Sequence, residues 1–451
     1  MKWRHFLFSC LASVLVAAGC AAPGTRDDTH EPIIFIHGHG NTAALWTTTV
    51  WRFESNGWPR DRLFALDTTF PLARNEDSKP QPDRTSTADH RAQIAAEVER
   101  VRKLTGAEKV VLVANSRGGL GVRDYVRNGG GARTVSHVVL GGTPNHGVWT
   151  GEFLPDSEFN GASPYLIALN EAQGPQRLEV TPGVAFMTLR SDALDKYAQP
   201  DGRWIDRPQM QTHTLPDAPA LRGAENVVLP GADHLEVSCG PEAFMQTYRF
   251  IAGHPPERVG IVPEAAVVLN GKINGFHDGT PTNLPIAGAA MEVYDVSPET
   301  GERRGAPVHA KVVGADGLWG PFTAKPGAYY EFVIRADGFA ITHIYRSPFP
   351  RSSELVHVRP TRLTEIDKRS PFAVTMVRAR GYLGVGRDRM SLDGVSPPPG
   401  LSPGVPGLGA ATIKLDERSV RSVVAEFNGE RIAVRTWPAN EDHAVRAEFH
   451  Y

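Results

Sequence analysis

The stretch that decides the fold is Lys109-Val-Val-Leu-Val-Ala-Asn-Ser-Arg-Gly-Gly119, an apolar run that ends in a serine between small residues. Its first half is a continuous series of aliphatic residues without polar alternation, which is typical of a buried strand in a parallel sheet. The residues that follow Ser116 predict a helix with an apolar face, and this helix stops at Asn128-Gly-Gly-Gly131. The sequence therefore predicts a strand, a tight turn and a helix, with Ser116 at the turn.

The turn around Ser116 fits the small-x-Ser-x-small pattern of a nucleophile elbow, which is a feature of α/β-hydrolase sheets. Ala114 and Gly118 occupy the two flanking positions, where small residues are needed because the sharp turn packs closely against its neighbours. The pattern alone also fits a Gly-rich turn with a solvated serine. The surrounding sequence is therefore needed to decide between the two interpretations.

A second buried strand, upstream of the first, favours the nucleophile elbow. It spans Ile33-Ile-Phe-Ile36 and opens into His37-Gly-His-Gly40. In an α/β-hydrolase a loop of this kind supplies one backbone N–H of the oxyanion hole, and the residue after the nucleophile supplies the other. We therefore predict that the amides of His39 and Arg117 are the oxyanion donors.

The general base is predicted from chain order, because an α/β-hydrolase presents its serine, acid and histidine in that order after successive strands. His234 follows a predicted strand and precedes an amphipathic helix at residues 240–251, so it is the predicted base. Two rivals are less suitable. His137 precedes a strand and so lies at the wrong strand end, while His146 comes too early in the chain order.

Three aspartates compete for the role of the acid that orients the histidine. Asp192 is the first carboxylate after the predicted strand Val184-Ala-Phe-Met-Thr-Leu189, and it is the preferred acid. Asp195 is the runner-up, because the spacing within a loop does not separate the two. Asp233 is less suitable because it adjoins His234, and sequence neighbours rarely present side chains to each other in the required geometry.

The amino terminus has the features of an export signal. A basic start is followed by an apolar run, Phe6 to Ala18, that is too short to cross a membrane comfortably. Residues 1–20 are therefore a predicted signal peptide, and residues 21–31 a polar tether. The end of the signal resembles a bacterial lipobox at Cys20, whose lipidation would hold the exported protein on a membrane. Simple cleavage nearby, giving a periplasmic or secreted protein, is the alternative.

Charge and cysteine content exclude several classes of function. The chain of 451 residues has a formal net charge of −2, which gives no reason to expect nucleic acid as a partner. Of its three cysteines, only Cys239 lies beyond the signal segment and its border. One thiol forms neither an intrachain disulfide nor a thiol-rich metal cluster. We expect no metal and no cofactor, and we expect Cys239 to be a small buried residue.

A change of pattern predicts two domains. Strands alternate with helices over residues 32–257, which is typical of an α/β hydrolase with a mostly parallel sheet flanked by helices. Residues 258–451 contain short alternating strands divided by Gly, Pro and Asp turns, which predicts an all-β barrel or sandwich domain. Within the first domain, the aromatic-rich residues 148–181 predict either a lid or a small packed cap above the site.

Several motifs together resemble one family of lipases. They are His37-Gly38, Asn115-Ser-Arg-Gly-Gly119, Asp233-His-Leu235, Pro241-Glu-Ala-Phe244, Tyr329-Tyr-Glu-Phe332 and Tyr345-Arg-Ser-Pro-Phe-Pro-Arg-Ser352. The chain resembles lipases of the archaeal alkaline type, in which an α/β-hydrolase domain carries a C-terminal β-barrel, here in a bacterial exported form. The resemblance implies that the barrel helps to hold lipid, with Phe339, Tyr345 and Phe349 as candidates for apolar contact. Asn115 departs from the pattern, because histidine is common there.

Three functions remain open from the sequence. The leading hypothesis is a serine carboxylic ester hydrolase, a lipase or esterase that cleaves lipid-like acyl esters through an acyl-enzyme intermediate. A depolymerase of polyesters such as polyhydroxyalkanoates, or an esterase of bulky esters, would use the same residues. A cell-envelope protein that binds lipid or glycan without catalysis is the alternative from another class. The order of Ser116, Asp192 and His234 along the chain favours an enzyme.

Overall fold

The computed structural model describes residues 30–197, 202–204, 207–212, 217–417 and 419–451. The predicted signal peptide, including Cys20, and most of the predicted tether lie outside the described residues. Within the described part of the chain, no helix is long and apolar enough to cross a membrane.

The first domain alternates strands with helices along the chain. Its strands are β1 (Ile33–Ile36), β2 (Leu63–Leu66), β3 (Leu72–Ala73), β4 (Arg84–Thr85), β5 (Val110–Asn115), β6 (Val135–Gly141), β7 (Ala185–Ser191), β8 (Arg203–Trp204), β9 (Arg207–Gln211) and β10 (Glu225–Leu229). Its helices are α1 (Thr47–Ser55), α2 (Thr87–Thr105), α3 (Arg117–Asn128), α4 (Gly131–Thr134), α5 (Pro164–Leu169), α6 (Glu236–Cys239) and α7 (Pro241–Ala252), with 3₁₀ turns at Ala43–Trp46 and Arg60–Arg62.

Six of these strands form one sheet in the order β10-β7-β6-β5-β1-β2, and all neighbouring pairs are parallel. Successive residues of β5 point to opposite faces. Leu112 packs in the core that includes Ile94 of α2, and Val113 packs in the core that includes Phe53 of α1 and Phe244 of α7. Because both faces are buried, the strands are continuous aliphatic runs. The predicted α/β-hydrolase fold is confirmed.

Almost all regular elements of the second domain are strands. They are β11 (Val267–Leu269), β12 (Asn274–His277), β13 (Thr280–Pro285), β14 (Ala290–Val296), β15 (His309–Val312), β16 (Phe322–Ala324), β17 (Tyr329–Arg335), β18 (Ile341–Arg346), β19 (Phe372–Arg378), β20 (Met390–Leu392), β21 (Ala410–Leu415), β22 (Ser422–Phe427), β23 (Glu430–Arg435) and β24 (His443–Phe449). The chain also forms helix α8 (Glu365–Lys368) and a 3₁₀ turn at Ala439–Glu441.

The main sheet of the second domain has seven strands in the order β15-β14-β17-β18-β24-β19-β21. One face of this sheet shares a hydrophobic core with the three-stranded sheet β20-β22-β23. The other face shares a second core with the ribbon β11-β16. The domain is therefore β-rich, as predicted, and its stacked, open sheets correspond to the sandwich alternative.

The two domains meet at Trp51, a fully buried residue of α1. Its indole N–H donates to the carbonyl of Ser352 at 2.9 Å, and its ring packs edge-on against Phe349 with 6.4 Å between centroids. Phe349 is 4% exposed and Tyr345 only 1%. These two rings are therefore core residues, which corrects the suggestion that they contact a lipid substrate. Phe339 is half-buried and packs near the ring of Phe276.

Candidate active site

The turn after β5 holds Ser116 in a strained conformation, with φ 52° and ψ −121°. Positive φ values are uncommon for residues with a side chain and often mark functional sites. The amide of Ser116 donates to the carbonyl of Gly141 at 2.8 Å, which fixes the turn against β6. A Cβ at Gly119 would lie 2.0 Å from Oγ1 of Thr143, and one at Gly118 would lie 2.7 Å from a backbone oxygen that follows β1. These close approaches explain why the elbow requires small residues.

His234 lies in the loop between β10 and α6, and its ring is held from two directions. Its Nδ1 is 2.7 Å from Oδ2 of Asp195, and each of these side chains is 7% exposed. The ring of Tyr197 packs edge-on against the imidazole, with 4.6 Å between centroids. A carboxylate at Nδ1 favours the tautomer whose Nε2 accepts a proton. Ser116, Asp195 and His234 all line one cavity.

Asp192, the acid preferred from the sequence, has different partners in the described structure. Its Oδ1 accepts hydrogen bonds from the amides of Ala193 at 2.5 Å and Gly231 at 3.2 Å. Asp192 therefore joins the end of β7 to the turn after β10. The expectation that Asp192 orients His234 is corrected to Asp195, the runner-up. The reason is that the contact depends on the local path of the irregular segment after β7, which strand spacing does not encode.

The other candidates from the sequence do not take these places. The Oδ1 of Asp233 accepts the amides of the first turn of α6, and its Oδ2 faces arginines of the second domain. His137 packs edge-on against Phe250, on the outer side of the sheet. His146 lines the cavity, and its Nε2 is 3.3 Å from the carboxylate of Glu179.

The predicted oxyanion donors belong to two segments, the loop after β1, which carries His39, and the start of α3 at Arg117. A Cβ at Gly38 would lie 3.0 Å from Cβ of Ser116, so the backbone of this loop touches the nucleophile. The Nδ1 of His39 accepts the amide of Ala73 at 3.1 Å, which anchors the loop. The amide of Arg117 is the first N–H of α3, and the first N–H groups of a helix have no acceptor within it. The amides of His39 and Arg117 stay the predicted donors.

The side chain of Arg117 has a role that the sequence did not suggest. Its guanidinium forms a two-point ion pair with Glu158, at 2.7 and 3.0 Å, and the two side chains are 2% and 3% exposed. Glu158 belongs to the insertion at residues 148–181. This pair therefore anchors the insertion directly beside the serine. Whether the insertion acts as a lid stays a prediction.

The cavity has a volume of about 290 Å³ and an aromatic wall. Trp149, Phe153 and Phe159 come from the insertion, and Trp204 comes from β8. The indole rings of Trp149 and Trp204 stack with 5.2 Å between centroids and 4° between planes. Cavities of this size with apolar walls and a few polar groups are typical of sites for small organic ligands.

Positive charge also lines the cavity, in the form of Arg74, Arg84, Arg190 and Arg207. Among the described residues, Arg84 and Arg190 form no ion pair, and their hydrogen bonds go to backbone carbonyls. The guanidinium of Arg207 lies 4.1 Å from the ring centroid of Phe153. Arg74 pairs with Asp89 at 3.3 Å. The site therefore combines an apolar wall with two cations, Arg84 and Arg190, that have no carboxylate partner in the described part of the chain.

Neither a thiol nor a cluster of metal ligands competes with the serine in the described structure. Cys239 is buried, and its Sγ donates to the carbonyl of Leu235 at 3.2 Å. Burial raises the pKa of this thiol to about 12, which disfavours the reactive thiolate. No group of three or more His, Cys, Asp and Glu side chains suited to a metal ion occurs among the described residues.

Two segments of the chain match known protein families. Residues 30–151 match the class 2 lipase family, and residues 265–363 match the lipase C-terminal domain family. The first segment includes the strand and loop of His39 together with the nucleophile turn. The matches support ester hydrolase activity.

Solved structures similar to this chain include lipases and esterases. Aspergillus fumigatus lipase B has 13% identity and a TM-score of 0.36, and the match covers 53% of this chain and 56% of that enzyme. A Bacillus licheniformis lipase in mature form has 19% identity and a TM-score of 0.33, with 49% and 91% covered. A Bacillus subtilis carboxylesterase has 16% identity and a TM-score of 0.27, with 50% and 85% covered. The chain thus spans little more than half of the Aspergillus enzyme.

Proposed function

We propose that this α/β-hydrolase lipase with a C-terminal β domain cleaves carboxylic esters through a serine nucleophile. The observation that carries the proposal is the 2.7 Å contact between Nδ1 of His234 and Asp195, in the wall of the cavity that Ser116 also lines. A histidine oriented by a carboxylate beside a serine on a strained turn is the arrangement required for nucleophilic catalysis. It favours an enzyme over a protein that only binds lipid or glycan.

The proposed reaction has two steps that share one base. Nε2 of His234 takes the proton from Oγ of Ser116 as this oxygen attacks the acyl carbonyl, and then gives it to the departing alcohol. Asp195 stabilises the imidazolium that forms between these transfers. The amides of His39 and Arg117 donate to the carbonyl oxygen as it becomes negative. A water molecule, deprotonated in turn by His234, then releases the acid from the acyl-enzyme.

The aromatic wall supports an acyl ester with a sizeable apolar part as the substrate. Trp149, Phe153 and Trp204 line the cavity and pack against one another, so they offer an apolar surface to a hydrocarbon chain. Burial of each methylene stabilises a complex by about 0.8 kcal/mol. Medium or long acyl esters are therefore the proposed class. A polyester chain or a bulky ester would use the same wall, so rates on a series of acyl lengths are needed to separate them.

The arginines of the cavity favour a second substrate class, namely esters that also carry an anionic group. Arg190 and Arg84 would pair with a carboxylate or phosphate of the substrate, since guanidinium groups bind such anions in a two-point geometry. We expect Arg190→Met to lower kcat/KM about tenfold for the mono-p-nitrophenyl ester of glutaric acid, as a lost charged hydrogen bond of ~1.5 kcal/mol would do. The rate on neutral p-nitrophenyl butyrate should stay unchanged. Equal effects on both esters would exclude this class.

We further propose that the protein is exported and carries lipid at Cys20. The support is the basic start, the short apolar run and the small residues before this cysteine. Expressed in a bacterium that processes lipoproteins, the chain should incorporate labelled palmitate and sediment with membranes. Cys20→Ser should abolish both. Membrane association that persists in this variant would instead point to the folded domains.

The proposed chemistry is tested with a short and a long p-nitrophenyl ester, the butyrate and the palmitate. Ser116→Ala should remove activity on both, whereas Ser391→Ala in the second domain should keep it. A ratio of rates that favours palmitate indicates a lipase, and one that favours butyrate indicates an esterase. An inactive wild type, or a Ser116→Ala variant as active as the wild type, would exclude the serine mechanism.

A further inference from the structure

The residue before the proposed base makes contacts that cross to the second domain. Asp233 is fully buried, and its Oδ1 accepts the amides of Leu235 at 2.9 Å and Glu236 at 3.0 Å. These bonds fix the backbone on either side of His234. The position of the imidazole therefore depends on where the carboxylate of Asp233 is held.

Two arginines of the second domain hold that carboxylate. Nη1 of Arg378 is 3.1 Å, and Nη2 of Arg387 is 3.3 Å, from Oδ2 of Asp233. The same oxygen accepts the amide of Tyr382 at 2.6 Å. Both arginines also bind Glu236 in α6, Arg387 at 2.8 Å and Arg378 by a shorter contact. Residues 378–388, which we call the arginine loop, thus bind the carboxylates on both sides of His234.

The arginine loop is also linked, through Lys196, to the ring that packs against the imidazole. The ammonium of Lys196 lies 5.1 Å from the ring centroid of Tyr197 and 5.2 Å from that of Tyr382. Tyr197 is the ring that packs edge-on against His234. The amide of Tyr197 donates to Oδ1 of Asp195 at 2.8 Å. The ammonium of Lys196, close to the rings of both Tyr382 and Tyr197, therefore connects the arginine loop with the loop that carries Asp195.

The arginine loop is itself rigid within the second domain. Arg378 is the last residue of β19, is 7% exposed, and its guanidinium lies 4.6 Å from the ring centroid of Phe427. A Cβ at Gly381 would lie 2.3 Å from this guanidinium, so the backbone packs directly on it. The arginine therefore presents its donors to Asp233 from a fixed place.

We propose that the second domain is a structural part of the catalytic centre, in which Arg378 and Arg387 position His234 through Asp233 and Glu236. This inference rests on the proposed function. It predicts that the arginines act on turnover and not on substrate binding, because they contact neither the cavity nor the serine in the described structure. Since a displacement of about 1 Å in a catalytic group costs on the order of 100-fold in rate, loss of the contacts should lower kcat strongly.

The test uses the full chain and soluble p-nitrophenyl butyrate, so that binding to a lipid interface does not contribute. Arg378→Met with Arg387→Met should lower kcat about 100-fold and change KM less than twofold. Lysine at both positions should give an intermediate kcat, because an ammonium keeps the charge but lacks the two-point geometry. Arg421→Met is the matched control, since Arg421 pairs with Asp393 and Glu417 within the second domain, and it should keep the wild-type kcat.

A second measurement separates positioning from loss of folded protein. Asp233→Asn should lower kcat, and combining it with Arg378→Met should add little, because both changes break one contact. Melting curves give the folded fraction at the assay temperature for each variant. A wild-type kcat per folded molecule in the methionine variants would overturn the inference. Full additivity of the effects of Asp233→Asn and Arg378→Met on kcat would overturn it as well. If the methionine variants do not fold, a wild-type kcat in the variant with lysine at both positions overturns the inference. Failure of Ser116→Ala to remove activity would instead overturn the proposed function itself.

Discussion

The two halves of the active site are built in different ways. Ser116 is positioned by its neighbours in the chain: β5, the strained turn and the two glycines that allow α3 to pack closely. His234 is positioned by residues distant in sequence. Its partner Asp195 is 39 residues away, and the neighbouring Asp233 binds Arg378, which is 145 residues away. The position of the proposed nucleophile is thus encoded largely by a short motif, whereas the position of the proposed base depends on contacts that involve both domains.

Substitution of Asp195 should have the largest effect on kcat and is the most direct test of how His234 is positioned. Asp195→Asn leaves an amide at Nδ1 of His234, so the wrong tautomer is favoured, and kcat should fall about 10⁴-fold. The measurement is steady-state hydrolysis of p-nitrophenyl butyrate. Asp192→Asn is the matched control in the same loop and should change kcat less than threefold. A larger loss of kcat in Asp192→Asn than in Asp195→Asn would identify Asp192 as the acid instead.

One contact on the nucleophile side also joins distant residues, and breaking it tests how local that half is. Glu158→Gln removes the carboxylate that pairs with buried Arg117, and an uncompensated buried charge should lower the free energy of unfolding by about 3–5 kcal/mol. Urea titration measures the change. Glu257→Gln, whose partner Arg258 is 51% exposed, should shift it by less than about 0.5 kcal/mol. A loss of less than about 1 kcal/mol in the unfolding free energy of Glu158→Gln would show that the serine half of the site does not depend on the insertion.

A smaller effect is expected from a methyl group in the nucleophile turn. Gly119→Ala places a Cβ within 2.0 Å of Thr143, and overpacking of this kind should cost about 1–3 kcal/mol of stability. Gly260→Ala is the control, because a Cβ there meets nothing within 4 Å. Thermal unfolding compares the two variants. An unchanged melting temperature for Gly119→Ala would mean that the turn adapts, which would weaken the claim that close packing of the turn against Thr143 fixes the serine.

The smallest predicted effect is a loss of stability at low pH, which arises from His357 at the contact between the domains. His357 is 7% exposed and lies 3.6 Å from Asp67 of the first domain, and burial lowers its pKa to about 4. The unfolded chain takes up this proton below about pH 6.5, whereas the folded protein does so only near pH 4. The contribution of His357 to stability is therefore complete above about pH 6.5 and is lost between there and about pH 4.

His357→Gln should accordingly reduce, by about 1 kcal/mol, the stability that is lost between pH 7 and pH 5.5. Urea titrations at the two pH values give this difference, and His254→Gln at an exposed position is the control. An acid sensitivity equal to that of the wild type would show that the interface does not exclude the proton.

Much of the fold was predictable because periodicity and end signals act locally. The boundaries of α2 (Thr87–Thr105) follow from a capping serine and a closing glycine, Ser86 and Gly106, and β5 follows from its uninterrupted aliphatic run. The choice of Asp195 as the acid was harder to predict, because an irregular loop leaves no periodic signal. The contacts of Arg378 and Arg387 were beyond reach, because nothing in a single sequence pairs a β-domain arginine with an aspartate in the other domain.

Local sequence patterns were enough to predict a serine on a tight turn, a His-Gly loop before it, a histidine after a later strand, and a β-rich second domain. Each of these depends on neighbours within a few residues, where steric and hydrophobic preferences operate. The contact of Asp195 with His234, the ion pair of Arg117 with the insertion, and the arginines bound to Asp233 became visible only in the folded structure. Those contacts depend on burial and on pairing of charges across long sequence distances, and both exist only once the domains have packed together.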